Sequence, residues 1–394
     1  LARHLPLGSK EQWKEYPLAD DSFDLAVVGA GIVGLAHALA AARLGKRVVV
    51  IDRDAQANGA SVRNFGFVTV TGQEQGPVWR RARRSRDVWE QIAGPAGIPI
   101  VQRGLLMVAR RPEARAVLEA FLETDMAADC HWVPGDQIEP RFGIRPAHAE
   151  GALESGIDLR VESRTAIPAL ARYLEQALGV TFRRGVMVHG VDTRVLETST
   201  GTIYADAIVV CPGDDLTGLF PESFANVTRC KLQMMRLASP GYRLPSAVMS
   251  DLGMVRYLGY AALPQAAALR ARLEAEQAEH LANGIHLIVA QSSDGSLIVG
   301  DSHHYAATPD PFASEEVDRL ILDEFGHVFG HAPPPVIERW TGTYASAAGH
   351  SLVVTPMRNV RLVTVTGGTG ASTSFGLAEE VIGDLYGLQL GAAA

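Results

Sequence analysis

The residues best suited to chemistry open the chain. Gly29-Ala30-Gly31-Ile32-Val33-Gly34 is a GxGxxG run, and Asp52 follows Gly34 by eighteen residues. Each residue type has a task in such a pattern. Gly29 permits a tight turn, Gly31 lets the backbone approach a pyrophosphate, and Gly34 lets a helix pack on a strand. A helix N-terminus stabilises phosphate charge, and Asp52 can accept hydrogen bonds from a ribose 2′-hydroxyl. Glycine-rich turns arise easily in a chain this rich in alanine and glycine, so the flanking elements decide the matter.

Those elements are legible. Leu25-Ala26-Val27-Val28 is a short apolar strand, Leu35 to Leu44 has the small apolar pattern of a helix stopped by Gly45, and Lys46 to Ile51 is a β-branched strand ending at Asp52. Strand, turn, helix and strand in about thirty residues make a parallel βαβ unit. Helices are expected at 78–92, 115–128, 165–178, 265–283 and 315–329. Strands are expected at 104–109, 180–182, 186–191, 202–204 and 207–210, with antiparallel-type strands at 231–237, 254–258, 286–290 and 296–300. Residues 132–140 read as a loop and 360–365 as a last apolar strand. A second glycine-rich strand-to-helix turn, Thr366-Gly367-Gly368-Thr369-Gly370-Ala371-Ser372-Thr373, then enters a closing helix. The fold class is thus α/β plus α+β: a Rossmann-like dinucleotide-binding domain interleaved with an antiparallel-sheet substrate domain. The expected division is an N-terminal extension (1–22), a cofactor domain (23–75, 150–230 and 345–394) and a substrate domain (76–149 and 231–344).

The βαβ unit alone does not separate NAD from FAD. Its position near the N-terminus, the segment Ala60-Ser61-Val62-Arg63-Asn64-Phe65-Gly66 soon after the second strand, and the C-terminal glycine turn favour FAD. That last turn can aim backbone N–H groups at an electron-rich ring.

Composition closes off other classes. Of 394 residues 47% are hydrophobic and 20% charged, enough apolar content to exclude disorder. A net charge of −8 leaves no basic footprint for nucleic acid. The run Arg80-Arg81-Ala82-Arg83-Arg84-Ser85-Arg86 is read as a solvated helix face rather than an anion site. Three scattered cysteines (Cys130, Cys211 and Cys230) argue against a disulfide framework and suit a reducing compartment. Residues 25–42 are long enough to suggest a membrane span, but three glycines and a histidine interrupt them. No membrane insertion and a cytoplasmic location are expected, and Leu1 is taken as a trimmed or expression-derived start.

At these residues the sequence resembles the FAD-dependent D-amino-acid-oxidase-like family, which includes glycine oxidases, sarcosine oxidases and D-amino-acid dehydrogenases. The GxGxxG run, the 61–66 segment, Val209-Val210-Cys211-Pro212-Gly213 and the C-terminal glycine turn follow the family's order from about Phe23 to Leu385. The resemblance implies bound FAD. Gly29, Gly31, Gly34, Asp52 and Arg53 would serve the ADP half, with Val188 and Gly213 on the adenosine side. Ser61, Arg63, Asn64, Phe65 and Gly66 would run beside the pyrophosphate and isoalloxazine. Gly367, Gly368, Thr369, Gly370, Ser372 and Thr373 would meet the pyrimidine edge and ribityl chain. With no Cys near Gly367 and no His near Ser61, the flavin is expected to be non-covalent.

The family's carboxylate-binding pattern Trp-x-Gly-x-Arg departs here to Trp340-Thr341-Gly342-Thr343-Tyr344. With the 63–66, 232–236 and 300–305 segments, this resembles a subgroup associated with phosphonate catabolism, whose implied substrates are amines related to 2-aminoethylphosphonate. Candidate anion donors are Arg63, Gln73, Gln233, Arg256, Tyr257, His303, His304 and Tyr344. Adjacent histidines on a strand point to opposite faces, so at most one of His303 and His304 is expected at the site. No metal is expected, for want of a clustered carboxylate or thiolate. The implied chemistry is amine oxidation: hydride transfer to flavin N5, imine hydrolysis and reoxidation by O2, with Lys231 a candidate to assist oxygen. The alternatives are a glycine, sarcosine or D-amino-acid oxidase or dehydrogenase, a non-catalytic flavin-binding redox module, and a nicotinamide dehydrogenase. Oligomeric state is left open.

Overall fold

The computed structural model of the protein describes residues 22–388; the rest of the expected N-terminal extension lies outside the described residues. Two sheets dominate. The first has the order Ser351–Val354, Val360–Val365, Gly201–Val210, Ser22–Val28, Val48–Asp52, Thr181–Arg184, with Val188–Asp192 and Val195–Thr198 attached. Its centre is parallel: Leu25–Val28 pairs with Val48–Ile51 on one side and with Ala207–Val210 on the other. These strands are continuous runs of Val, Ile, Leu and Ala because both faces are covered. Helix Ile32–Arg43 packs on them, and its small residues reach zero or near-zero exposure.

The second sheet has ten strands, mostly antiparallel. Its spine is Thr228–Leu237, which pairs along its length with Val336–Ser346 and at one end with His304–Ala306. Ile288–Gln291, Leu297–Gly300, Ala247–Met249, Ile100–Ala109 and Gly151–Val161 continue it. Gly151–Val161, assigned from sequence to the cofactor domain, is therefore a strand of this second sheet, paired with Ile100–Ala109.

Other expectations are corrected. Residues 254–258 are not a strand: a 3-10 turn, Asp251–Val255, and a short helix, Leu258–Ala261, occupy the region. Gly253, Gly259 and the turn bonds that Gly253 O accepts from the Arg256 and Tyr257 N–H groups bend the chain there. Residues 132–140 form the end of strand Cys130–Pro134 and helix Gly135–Phe142, not a loop. The single helix expected over 265–283 is broken into Ala266–Glu276 and Ala278–Ala282. At the break, Gln277 is buried and its side chain bonds Glu324 and two arginines.

The arginine run is not simply solvated. It lies on helix Pro77–Ala93, where Arg81 and Arg84 form ion pairs with Glu380 and Glu379 of the closing helix Gly370–Tyr386. The two helices approach so closely that a Cβ on Gly376 would lie 2.8 Å from the Arg81 backbone. Among the described residues, no helix is long and apolar enough to cross a membrane; residues 25–42 divide into strand and helix.

Candidate active site

A cavity of about 630 Å³ runs between the sheets, from the first glycine turn to the tip of the second sheet. At one end are Gly29, Gly31, Asp52, Arg53, Ser61, Val188 and Gly213. The helix N-terminus here already engages side chains: Ile32 N–H donates to Ser61 Oγ at 2.9 Å and Ala30 N–H to Asp52 Oδ2 at 2.5 Å. The other Asp52 oxygen accepts from Asp54 N–H, and Arg53 pairs with Asp215. A side chain at Gly29 would meet Cys211 O at 2.4 Å, so the turn depends on having none there. Gly34 does not line the cavity; its missing Cβ would sit 1.8 Å from Gly29 O, the helix-on-strand contact its position requires.

The middle is built by Arg63, Asn64 and Phe65 opposite Gly367, Gly368, Thr369, Gly370 and Ser372. Asn64 shapes its own turn, donating to Ala60 O and accepting from Gly66 N–H and Ser163 Oγ. Gly66 lies outside the cavity, where it lets the backbone approach Val161. Thr373 is likewise absent from the lining and caps back to Thr369 O. Gly368 has φ +73° and faces the Tyr344 ring, which a Cβ would meet at 3.0 Å.

Of the proposed anion donors, Gln73, Arg256, Tyr257, His303 and Tyr344 converge on the far end. Three proposed residues do not. Lys231 Nζ donates to Phe312 O at 2.7 Å, so its assignment to oxygen is not supported by its placement. Gln233 is held by Ser314 and Asp318 at the foot of helix Glu315–Phe329. His304 turns away and meets Asn283.

Lining residues that the sequence did not mark as site candidates include His286, Asp301, Tyr305 and His350. Asp301 and His286 exchange backbone hydrogen bonds, which extends the pairing of the two strands that lead to them. Asp301 Oδ1 is 3.3 Å from His286 Nδ1 and Oδ2 is 3.8 Å from His303 Nε2, yet Oδ1 and Nδ1 make no aligned hydrogen bond. Contrary to the expectation of no clustered carboxylate, Asp301 joins the histidines, and the side-chain N and O atoms of His286, Asp301 and His303 lie within 4.8 Å of one another.

Burial pushes the Asp301 carboxyl up to about 8, with Arg256 pulling the other way. Burial, aided by Arg256, holds His286 and His303 well below the usual imidazole range. Tyr344 and Tyr257 are pushed up by burial. Arg256 donates to Tyr305 Oη at 2.7 Å and has no carboxylate within ion-pair distance among the described residues. Arg256 thus brings to this end of the cavity a positive charge that no described carboxylate meets within 4 Å.

A parallel sheet with a GxGxxG turn, joined by one cavity to an antiparallel sheet, defines a dinucleotide-binding oxidoreductase. The profile of the DAO family, FAD dependent oxidoreductase, matches residues 24–383, and the chain belongs to that family. Glycine oxidase from Geobacillus kaustophilus is similar at 19% identity and TM-score 0.73, over 94% of this chain and 96% of that one. L-proline dehydrogenase from P. horikoshii is similar at 15% identity and TM-score 0.75, over 94% and 95%. Iminodiacetate oxidase from Chelativorans sp. BNC1 gives 19%, 0.69, 94% and 97%. At these identities the likeness is one of fold. A search of curated proteins found no match.

The cavity fits the family's cofactor, FAD. Gly29 and Gly31 line the cavity at the N-terminus of helix Ile32–Arg43, where a pyrophosphate would lie, and Asp52 retains lone pairs for a ribose. At the second turn, the buried Thr369 Oγ1 has no partner within the protein.

Proposed function

We propose that this enzyme oxidises a small amine bearing a phosphonate, of the 2-aminoethylphosphonate type, N-methylated or hydroxylated forms included. O2 is the proposed acceptor and FAD is proposed to be held without a covalent bond. The observation that carries the substrate assignment is Arg256: a cation at the cavity end whose bonded partner is the neutral Tyr305. Such a group needs an anion from the ligand. A carboxylate is flat and matched by one guanidinium fork, whereas a phosphonate offers three oxygens in a pyramid. Arg256, Tyr257, Tyr305 and Tyr344 enter from three chain segments, and Tyr344 stands where the family pattern has its carboxylate-binding Arg.

Bound FAD supplies the two-electron acceptor. The chain's residues do the rest: Arg256 and the phenols anchor the anion, and the Tyr344–Gly368 contact closes the wall. Fixing one end of a small molecule this way sets the position of its C–H bond. The competing assignment, an amino-acid oxidase or dehydrogenase, uses Arg256 alone as a carboxylate clamp.

Anaerobic mixing of the yellow protein with glycine, sarcosine, D-alanine, 2-aminoethylphosphonate, and its N-methyl and 1-hydroxy forms separates these. Bleaching by the phosphonates alone is the expected result, with flavin freed on acid precipitation. Bleaching by the carboxylates alone refutes the phosphonate, and bleaching by none favours a redox module.

A further inference from the structure

We propose that Asp301, held between His286 and His303, binds the substrate ammonium group and takes its proton. This rests on the reading of the chain as an amine oxidoreductase, not on the phosphonate. Amine oxidation requires a nitrogen lone pair, and a small amine reaches the cavity as an ammonium ion. The cavity is polarised to receive it. Arg256 and Tyr305 form an anion-binding side, and the Asp301 cluster forms an acceptor side within the same lining.

The geometry marks Asp301 as unfinished. It is 4% exposed, its Oδ1 has no hydrogen-bond partner, and among the described residues no Lys or Arg lies within ion-pair distance of it, only the two imidazoles. A buried carboxyl normally finds partners, so an orphan one that lines a ligand cavity awaits a donor. His303 is fixed as a neutral acceptor: its Nδ1–H donates to Gly284 O at 2.9 Å, leaving the Nε2 lone pair toward Oδ2. A neutral Nε2 beside Oδ2 cannot satisfy a carboxylate; it can share an N–H of an arriving ammonium. His286 packs against His303 with tilted rings, centroids 4.9 Å apart, and is in edge contact with Tyr257.

The proton step balances. One N–H bond of the ammonium breaks with its electron pair left on nitrogen, and an O–H bond forms on Asp301. The products are a neutral amine and a neutral acid, the pair that a low-dielectric site favours over two ions. The proton returns to water when the product leaves.

The titratable and charged groups around Asp301 are His286, His303, Arg256, Tyr257, Cys230, Tyr305 and Tyr344. Burial raises the thiol and phenols and lowers the imidazoles, which leaves Asp301 to titrate near 8.

The test is calorimetry on the holoenzyme with two amines that cannot be oxidised: (2-amino-2-methylpropyl)phosphonate and 2-aminoisobutyrate. Repeating each titration in buffers of different ionisation enthalpy counts protons. An acid that must ionise to meet an ammonium releases about one proton at pH 7, falling toward zero as pH passes through about 8. Asp301→Asn, checked for retained flavin, is expected to release none. Binding without proton release in the wild type, or unchanged release in D301N, overturns the proposal. So does a stoichiometric divalent ion removed together with the histidine cluster's ligand binding by chelator. Release with the carboxylate probe but not the phosphonate keeps the Asp301 assignment and removes the phosphonate reading.

Flavin bleaching by reactive amines of different basicity gives a second reading, independent of the added methyl groups. The wild-type second-order rate should level off near pH 8 for every amine. In D301N it should keep rising toward each amine's own pKa. A wild-type profile that follows each amine's pKa overturns the proposal.

Discussion

At the scale of single residues, the site turns on charge placed without a partner. Arg256 is the test: Arg256→Met keeps the aliphatic stem and removes the cation. Binding of an anionic amine should weaken by roughly 30-fold, or about 2 kcal/mol, the value of hydrogen bonds to a charged group. Dissociation constants from anaerobic flavin bleaching measure it, and an unchanged constant would place the anion elsewhere. The glycines of the first turn, Asp52 and the Ser61 segment were legible in the sequence because they are neighbours along the chain and each type has one task. Asp301 and His286 were not. Fifteen residues separate them, and only the pairing of Ile288–Gln291 with Leu297–Gly300 brings them together. Gln233 shows the converse: next to the cavity-lining Leu232 on strand Thr228–Leu237, its side chain falls on the other face and meets Asp318.

At the scale of elements, helix Ile32–Arg43 combines function with a pH liability. Gly34 lets it touch the strand, and His37, one turn further, is wholly buried with Nδ1 against Val33 O at 2.7 Å and Nε2 unpartnered. Burial lowers the His37 imidazole to about 4, below its ordinary 6.5. As pH falls, the unfolded chain therefore takes up this proton before the folded one does. The contribution is complete above 6.5 and is lost progressively toward 4, reaching ~3 kcal/mol. His37→Leu should flatten that part of a stability-against-pH curve measured by thermal unfolding. Elements with strong local periodicity, such as Glu315–Phe329 and Val360–Val365, were legible to the residue. The 3-10 turn at Asp251–Val255 was not, since an apolar run of that length carries no period and its shape is imposed by what it packs against.

At the scale of the whole molecule, Arg160 ties the cofactor segment to the antiparallel sheet. It is 1% exposed and donates to Phe65 O, Gln291 O, Ser292 Oγ and Glu162. Arg160→Met leaves two buried carbonyls and a carboxylate short of a donor. A loss of about 3 kcal/mol or more is expected, as for breaking a buried pair. Differential scanning calorimetry of the holoprotein would register it, and an unchanged midpoint would show that the Phe65 segment is held to the second sheet by other means.

The strand order of the first sheet also has a history written into it. Ser22–Val28 finds one neighbour within thirty residues, but its other neighbour ends at Val210, and that strand in turn waits for Val360–Val365. During synthesis Ser22–Val28 and then Gly201–Val210 are each made long before their later neighbour. The nascent chain therefore carries an open, strand-forming edge from Ser22 until Val360–Val365 is made.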